Sequence, residues 1–389
     1  LKGRVGAAEL LGALMSRGTE ELDFSAFEDE KLRLRLELSV SSTVGLLQVS
    51  AKTKREFIPE AVKLIGELLR RPRLDSSELE VIRRQVLTSL EQSLTDPRAL
   101  SARSVDKRLA PYPEDHVLYV RSIEEEIEMY RNVKIEEIRD LHEEFLGNQA
   151  GELSAVGDFD PDELKALVAS MLADWETDKP YVRVGRDPHP DVPGSVDFIE
   201  TPDKENAVYR ASQQYRLSDE DPEFAYLEIG NYILGSGSLS SRLGNRVRQQ
   251  EGLSYGIASY TIPRARDERV DFVVAAITNP NKKDELMSVI REELELIRDK
   301  GVTEQELAEA KEAYLQAARL RRSNDPALNS DLLGTLFNER TMEFHATLES
   351  TIASATLEDV NAAIRKYIDP DKLVIGFAGD FAAAERGEK

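Results

Sequence analysis

A chain that repeats its own landmarks in order can fold only in ways that also repeat, and this one does so at nearly constant spacing. Glu78-Leu79 heads a long amphipathic stretch leading to Asp96-Pro97-Arg98-Ala99-Leu100, and Glu306-Leu307 heads another leading to Asp325-Pro326-Ala327-Leu328. Position 78 thus maps to 306 and position 96 to 325, offsets that differ by a single place. Ile135-Glu136-Glu137-Ile138 is answered by Leu357-Glu358-Asp359-Val360, and Gly157-Asp158-Phe159 by Gly379-Asp380-Phe381, these two at one identical offset. Ordered matches of this kind imply two copies of one unit. The expected fold is α+β: two homologous domains, each a mixed, mainly antiparallel sheet with helices packed on one face. A Pro-rich stretch without apolar periodicity, Asp178–Ser195, reads as the linker and divides the chain into domains 1–180 and 181–389.

Hydrophobic periodicity fills in the first copy. Helices are expected over Val5–Met15 and Phe24–Lys31, followed by alternating strands over Leu32–Ser41 and Val44–Ala51. Further helices are expected at 57–71, 76–94, from Asp96-Pro97 onward, at 123–131, at 135–146 and over Pro161–Trp175. A short strand over Glu152–Val156 is expected before Gly157.

The 389 residues, 41% of them hydrophobic, suffice for two cores. A formal net charge of −22 argues against non-specific nucleic-acid binding. No apolar run approaches the length that crosses a bilayer. With no cysteine, disulfides, thiol nucleophiles and thiolate metal sites are excluded. Beginning at Leu1 without methionine or a signal-peptide pattern, the chain reads as a fragment or a processed form.

The most informative stretch is Gly235–Tyr255, a flexible turn, a basic amphipathic helix, a glycine stop and the start of a strand. Ser238, Ser240 or Ser241 can act as N-cap. Leu239, Leu243 and Val247 mark a buried stripe, and Gly252 suits the left-handed position that ends a helix. Leu253, Tyr255 and Ile257 then alternate with Ser254, Gly256 and Ala258 as in a strand. At about 100° per residue Arg248 points well away from the apolar stripe. Arg242, Arg246 and Arg248 form a basic island in an acidic chain, which suggests a partner or substrate bearing carboxylates or carbonyls. Spacing alone favours the plainer reading, a solvated helix face and a tyrosine packed in the core.

Other chemistry is poorly represented. His116, His142, His189 and His345 stand far apart, and none has metal-ligand spacing to another. His142, beside Glu143 and Glu144, is expected on a solvated helix face, since adjacent helical residues point about 100° apart. Gly235-Ser236-Gly237 lacks the third glycine of a dinucleotide fingerprint and follows a helical pattern over Phe224–Leu234.

The duplicated unit, the strand ending in Gly157-Asp158-Phe159, and the run from Ser240 to Gly256 together resemble the insulinase/pitrilysin family of inverted-motif zinc peptidases. The resemblance covers nearly the whole chain. It is most similar to the zinc-less half found in long bacterial members or as a separate subunit, and its strongest motif is Arg248 followed seven places later by Tyr255. In active halves the helix before a Gly-Thr pair carries H-x-x-E-H, two zinc-binding histidines and a glutamate that activates water. Here Gly18-Thr19 is preceded by Glu9, Leu10, Leu11, Gly12 and Ala13 in those five places, so the ligand positions hold Glu9 and Ala13 and the base position Gly12. The family's third ligand falls near Ser89 or Leu90, with Glu91 close by.

The resemblance therefore implies a non-catalytic half that binds no cofactor of its own and is inactive alone. It would complete the peptide-binding chamber of a catalytic H-x-x-E-H half, which would hold the zinc. Arg248 and Tyr255 would bind the peptide substrate or support the oxyanion. The implied partners are the catalytic half, as a heterodimer, and a peptide; a dimer of the isolated chain is also compatible. The resemblance favours an exported or periplasmic setting over a cytoplasmic one. Two alternatives stay open. One is a structural or assembly protein of the same fold, like the core subunits of the respiratory bc1 complex, and the other is a free-standing peptide-binding module. In the non-catalytic subunit of mitochondrial processing peptidase the position of Gly235 holds a long glycine-rich substrate loop, which is short here.

Overall fold

The computed structural model describes residues 1–237 and 240–387. Ser238 and Leu239, named above as a candidate cap and the first residue of the stripe, lie outside the described residues. In chain order the elements are α1 (Val5–Met15), α2 (Phe24–Arg33), β1 (Glu37–Thr43), β2 (Leu46–Lys52), α3 (Ile58–Arg70), α4 (Ser76–Ser93), α5 (Pro97–Leu109), α6 (Ile123–Asn132), α7 (Ile135–Phe145) and α8 (Pro161–Leu172). They continue with β3 (Ser195–Glu200), β4 (Ala207–Arg216), α9 (Pro222–Asn231), β5 (Ser254–Arg264), β6 (Arg269–Thr278), α10 (Lys283–Lys300), α11 (Glu304–Arg322), α12 (Asp325–Phe337), α13 (Glu343–Ser354), α14 (Leu357–Tyr367), β7 (Val374–Gly379) and α15 (Phe381–Arg386). Two compact units emerge: Leu1–Gln92 with Pro113–Val184, and Ser93–Tyr112 with Gly185–Lys389.

In the first unit α1 is buried on nearly every side, and Leu10, Leu11, Leu14 and Met15 pack with Leu79, Ile82, Ile138 and Leu141. Such a helix gets its stability from burial, at about 1.5–3 kcal/mol per large apolar side chain. β1 and β2 form an antiparallel hairpin whose Thr43 pairs with Leu46 across a short loop of Val44 and Gly45. Gly45 in that loop has φ 84°, a conformation that disfavours a Cβ. Leu38 and Val40 face a second cluster of Phe27, Leu34, Leu64 and Leu68. β1 begins at Glu37 rather than Leu32, because α2 runs on to Arg33. Leu32 and Leu34 have strand spacing, but Leu34 instead closes α2 and is buried from there.

The second unit holds a five-stranded mixed sheet in the order β3-β7-β4-β6-β5. β3 and β7 are parallel and the remaining neighbours antiparallel. Alternate residues of one face, Tyr209, Phe272, Val274 and Phe377, join Leu227 of α9, Leu294 of α10 and Ile364 of α14 in the main core. The other face carries α5, which packs on β7, β4 and β3. Gly376 of β7 lies directly under the Ser101 carbonyl of α5, where a Cβ would overlap it. Ser104 and Arg108 fasten α5 to Asp197 of β3 through bonds of 2.6, 3.0 and 2.8 Å.

Two details of the expected fold are corrected. Helices do not keep to one face, because α5 lies opposite the rest on the second unit's sheet, over Gly376 and the apolar surface of Val374. The first unit's sheet is only the β1–β2 hairpin among the described residues, and Glu152–Val156 is not a strand, because it has no ladder partner. Its sequence counterpart β7 has strands on both sides.

Candidate functional site

After α9 the chain makes a π-helical turn over Tyr232–Ser236, and it winds as a π-helix again over Gly244–Gln250. The wider turn replaces the α-helix expected there, and it shows in the Glu251 amide donating to the Arg246 carbonyl five places back at 3.1 Å. Leu243 and Val247 are fully buried as the apolar spacing requires. The Ser241 hydroxyl accepts from the Gly244 amide at 3.2 Å, and Gly252 adopts φ 62° after the helix.

The three arginines of this segment are not equivalent, and the basic island is mostly neutralised. Arg242 donates to both oxygens of Glu306 at 2.7 and 2.8 Å and to the Gly301 carbonyl at 3.0 Å, with Glu293 at 3.8 Å. Arg242 holds the Glu306 carboxyl down at about 2, well below its ordinary range, while burial pushes Glu293 up. Arg246 faces Glu251 at 3.0 Å and Glu292 at 3.5 Å. Arg248 is exposed, and no hydrogen bond or ion pair to another described residue engages it.

Tyr255 is 95% exposed. Strand alternation alone would bury it, since Ile257 packs against the core and Ser259 is buried on the same side. The register between β5 and β6 slips at this point: Ser254 faces Thr278 and Gly256 faces Ile277, leaving Tyr255 as the extra residue. A bulge of this kind re-aims a side chain. Here it is fixed by the Ser254 hydroxyl, which accepts from the Gly256 amide at 3.1 Å and donates to its carbonyl at 2.9 Å. Thr278 ties down the Leu253 carbonyl at 2.6 Å. Both residues singled out from the sequence are thus presented to solvent, one by a π-helix and the other by a bulge.

Beneath β5 lies a polar seam that periodicity did not reveal. Glu228 of α9 bonds Thr261 and Tyr314, and burial pushes its carboxyl above the usual range. One turn on, Asn231 accepts from the Ser259 hydroxyl at 2.5 Å and reaches its carbonyl at 3.4 Å. The readable signal was an acid and an amide three places apart in the apolar second half of that helix.

The degenerate motif is structurally closed. The Glu9 carboxylate accepts from the Tyr130 hydroxyl at 2.6 Å, and Ala13 packs against the apolar cluster of α1. At Gly12 a Cβ would stand 2.7 Å from the Ser41 carbonyl carbon and 2.8 Å from the Ser42 nitrogen, so the position of the base has no room for a side chain. Glu91 is exposed and pairs with Arg131 at 3.9 Å. Among the described residues, no group of three or more His, Cys, Asp or Glu could hold a metal ion. His142 is buried rather than solvated, with Nε2 2.8 Å from the Leu69 carbonyl, and burial lowers its pKa. It lies four places after Ile138 and so on the apolar stripe of α7.

The family profile described as "Peptidase M16 inactive domain" matches residues 132–314, which include Arg248, Tyr255 and the π-helix between α9 and β5. Over those residues the chain matches the peptidase M16 inactive-domain family. Within that family setting, a curated relative in Helicobacter pylori, the "Non-peptidase homolog YmxG", is 21% identical over 395 residues, covering 97% of this chain and 85% of that protein. The crystal structure of a peptidase M16 inactive domain from Pseudomonas fluorescens superposes with a TM-score of 0.81 at 22% identity, over 96% of this chain and 88% of that one. The periplasmic protease PqqL from Escherichia coli superposes with a TM-score of 0.73 at 16% identity, over 97% of this chain but 42% of its own length. These structural likenesses show the α+β fold with its mixed sheet. No helix among the described residues is long and apolar enough to cross a membrane.

Proposed function

We propose that this M16 inactive-domain protein is the non-catalytic half of a zinc peptidase and completes the peptide-binding chamber of a separate half that bears H-x-x-E-H. The observation that carries this reading is the pair Arg248 and Tyr255. The fold neutralises Arg242 and Arg246 with carboxylates yet leaves Arg248 without a partner among the described residues, and it uses a bulge to turn Tyr255 outward. A purely structural helix and strand need neither device. A guanidinium and a phenol held ready on rigid elements are suited to donate to peptide carbonyls or to an oxyanion formed at a partner's zinc. The 42% coverage of PqqL supports the same reading, since this chain corresponds to less than half of that protease.

The reading includes a chain built of two homologous domains, 1–180 and 181–389, and matched hydrogen bonds favour it. Arg83 of α4 donates to the carbonyls of Arg131 and Val133 at 3.0 and 2.7 Å. Lys311 of α11 stands to Arg83 as Glu306 stands to Glu78, and Ala353 and Ala355 stand to Arg131 and Val133 as Leu357 stands to Ile135. Lys311 donates to the carbonyls of Ala353 and Ala355 at 3.0 and 2.5 Å. Arg139 reaches the Leu74 carbonyl as Asn361 reaches that of Val302.

A second reading, a structural or assembly protein without a part in proteolysis, is favoured by the name of the Helicobacter relative as a non-peptidase homolog. The test assembles this chain with the H-x-x-E-H chain that co-purifies with it and assays peptide hydrolysis. Arg248→Ala and Tyr255→Phe should leave assembly intact while lowering activity about 10²-fold where the lost donor meets the oxyanion. Loss in kcat places the contact in the transition state, and a raised KM places it in peptide binding. Arg246→Ala, on the same segment, serves as the control. Full activity in both site variants, or no co-purifying zinc-bearing chain, would leave the structural reading standing.

A further inference from the structure

Large apolar side chains are seldom left exposed in succession on one strand, because an open apolar patch marks a surface that something else covers. β5 carries three: Tyr255 at 95% exposure, Tyr260 at 48% and Ile262 at 38%. It is the outermost strand of its sheet, and among the described residues β6 is its only strand partner. Tyr260 pairs with Val273, Ile262 with Asp271 and Arg264 with Arg269, which puts all three on the face opposite the core, beyond the strands that α5 covers.

The charges at the end of this strip are also unbalanced. Arg264 and Arg269 stand directly across from each other, an arrangement that costs stability unless a carboxylate intervenes. One does: Asp271 takes Arg269 at 2.8 Å and lies 3.7 Å from Arg264, too far for a hydrogen bond. Arg264 remains 45% exposed, and among the described residues no acceptor lies within hydrogen-bond reach of it. Arg248, and Arg264 with only its loose 3.7 Å pairing to Asp271, thus lie on the two segments flanking the apolar residues, as cations with room for a further anion in a chain of net charge −22.

We propose that the solvent-facing strip of β5, Tyr255, Tyr260, Ile262 and Arg264, is a specificity surface for an extended peptide in which β-branched or aliphatic residues are followed by an acidic one. The inference rests on the reading of Arg248 and Tyr255 as peptide contacts and adds what sort of peptide they meet. An extended segment repeats its side chains on one face at every second position, as Tyr260, Ile262 and Arg264 do, so the apolar residues of the peptide meet Tyr260 and Ile262 while its carboxylate reaches Arg264. Arginine suits that end because its planar fork takes a carboxylate at two points.

The test titrates the full chain with a fluorescein-labelled octapeptide, Ser-Val-Thr-Leu-Ser-Glu-Ser-Glu, and with the same peptide carrying lysine in place of glutamate. The chain should prefer the acidic peptide by about two- to fivefold, the size of an exposed ion pair. Arg264→Glu should invert that preference, and Tyr260→Ser with Ile262→Ser should weaken both peptides alike. All three positions are exposed, and circular dichroism confirms folding. An Arg264→Glu variant with unchanged preference overturns the inference even when Arg248→Ala weakens binding, in which case the peptide-contact reading stands. Inverted preference in Arg264→Glu with unaltered binding in Arg248→Ala and Tyr255→Phe supports the strip and overturns the roles of that pair. Absence of binding at millimolar peptide overturns both. If sedimentation instead shows a dimer that Tyr260→Ser dissolves while peptide binding is unaffected, the strip belongs to a second copy of the chain and the inference falls.

Discussion

Arg242 holds Glu306 at two points, 2.7 and 2.8 Å, and through that grip fixes the π-helix that presents Arg248 onto the start of α11. Glu306 is also half of the capping box of α11, accepting from the Thr303 amide at 2.8 Å while its own amide bonds the Thr303 hydroxyl at 3.2 Å. A single carboxylate thus caps one helix and anchors another segment. Arg242→Ala would strand Glu306 and the buried Glu293 without their cation, at a cost of about 3 kcal/mol. A urea midpoint no lower than that of the parent chain would contradict this.

The same pair sets a pH dependence whose sign follows from Glu306. Its carboxyl is held at about 2 in the folded chain against an ordinary 4.5. The stability it contributes is therefore complete above pH 4.5 and is lost as pH falls toward 2. Glu293 runs the other way. Burial raises it, so its ionised form costs stability at neutral pH and protonation relieves that cost. Glu306→Gln should be clearly less stable than the parent at pH 7 and much closer to it, though still less stable, at pH 2.5, whereas Glu293→Gln should be neutral or stabilising at pH 7. Unfolding free energies from urea titrations at the two pH values check both signs.

Two glycines separate a packing requirement from a backbone one. Gly376 lies against the Ser101 carbonyl of α5, and Gly334 within α12 has open space around it. Gly376→Ala should lower stability by about 1–3 kcal/mol through overpacking at the seam of α5 and β7. Gly334→Ala should raise it by about 0.5–1 kcal/mol, because alanine restricts the unfolded chain and favours the helix. Equal effects in thermal unfolding would show that α5 does not lie tightly on that face.

What could be read from the sequence was what local periodicity encodes. Val5–Met15 was legible as α1 and Leu243/Val247 as a buried stripe, since both depend on residues a few positions apart. Arg248 and Tyr255 were visible as a spaced pair through the resemblance, but their presentation was not. Alternation put Tyr255 beside Ile257, and only the pairing with Thr278 and Ile277, on the next strand, shows the extra residue in the ladder. The partners of Arg242 were hidden for the same reason, lying far ahead in the chain at Glu293 and Glu306. α5 looked like any helix of the first copy, and only Gly376 and Asp197 reveal that it packs in the second unit. Glu152–Val156 has strand-like composition, yet a strand also requires a neighbour.

Respelling the lost motif should not recover a peptidase. Glu9→His, Gly12→Glu and Ala13→His together write H-x-x-E-H onto α1, but a side chain at position 12 must displace the β1 backbone at Ser41 and Ser42, 2.7 and 2.8 Å from its Cβ. The Gly12 amide also donates to the Ser42 hydroxyl at 2.8 Å, so helix and strand are joined at that point and cannot part without losing the bond. Glu91, turned to Arg131, offers no third ligand at hand. The triple variant should hold no stoichiometric zinc by elemental analysis, hydrolyse no peptide, and unfold at lower urea than the parent. Gly12→Ala alone isolates the steric cause and should cost about 1–3 kcal/mol. A Gly12→Ala chain as stable as the parent, together with one tightly held zinc in the triple variant, would mean that β1 yields easily and that the site was lost through its ligands alone.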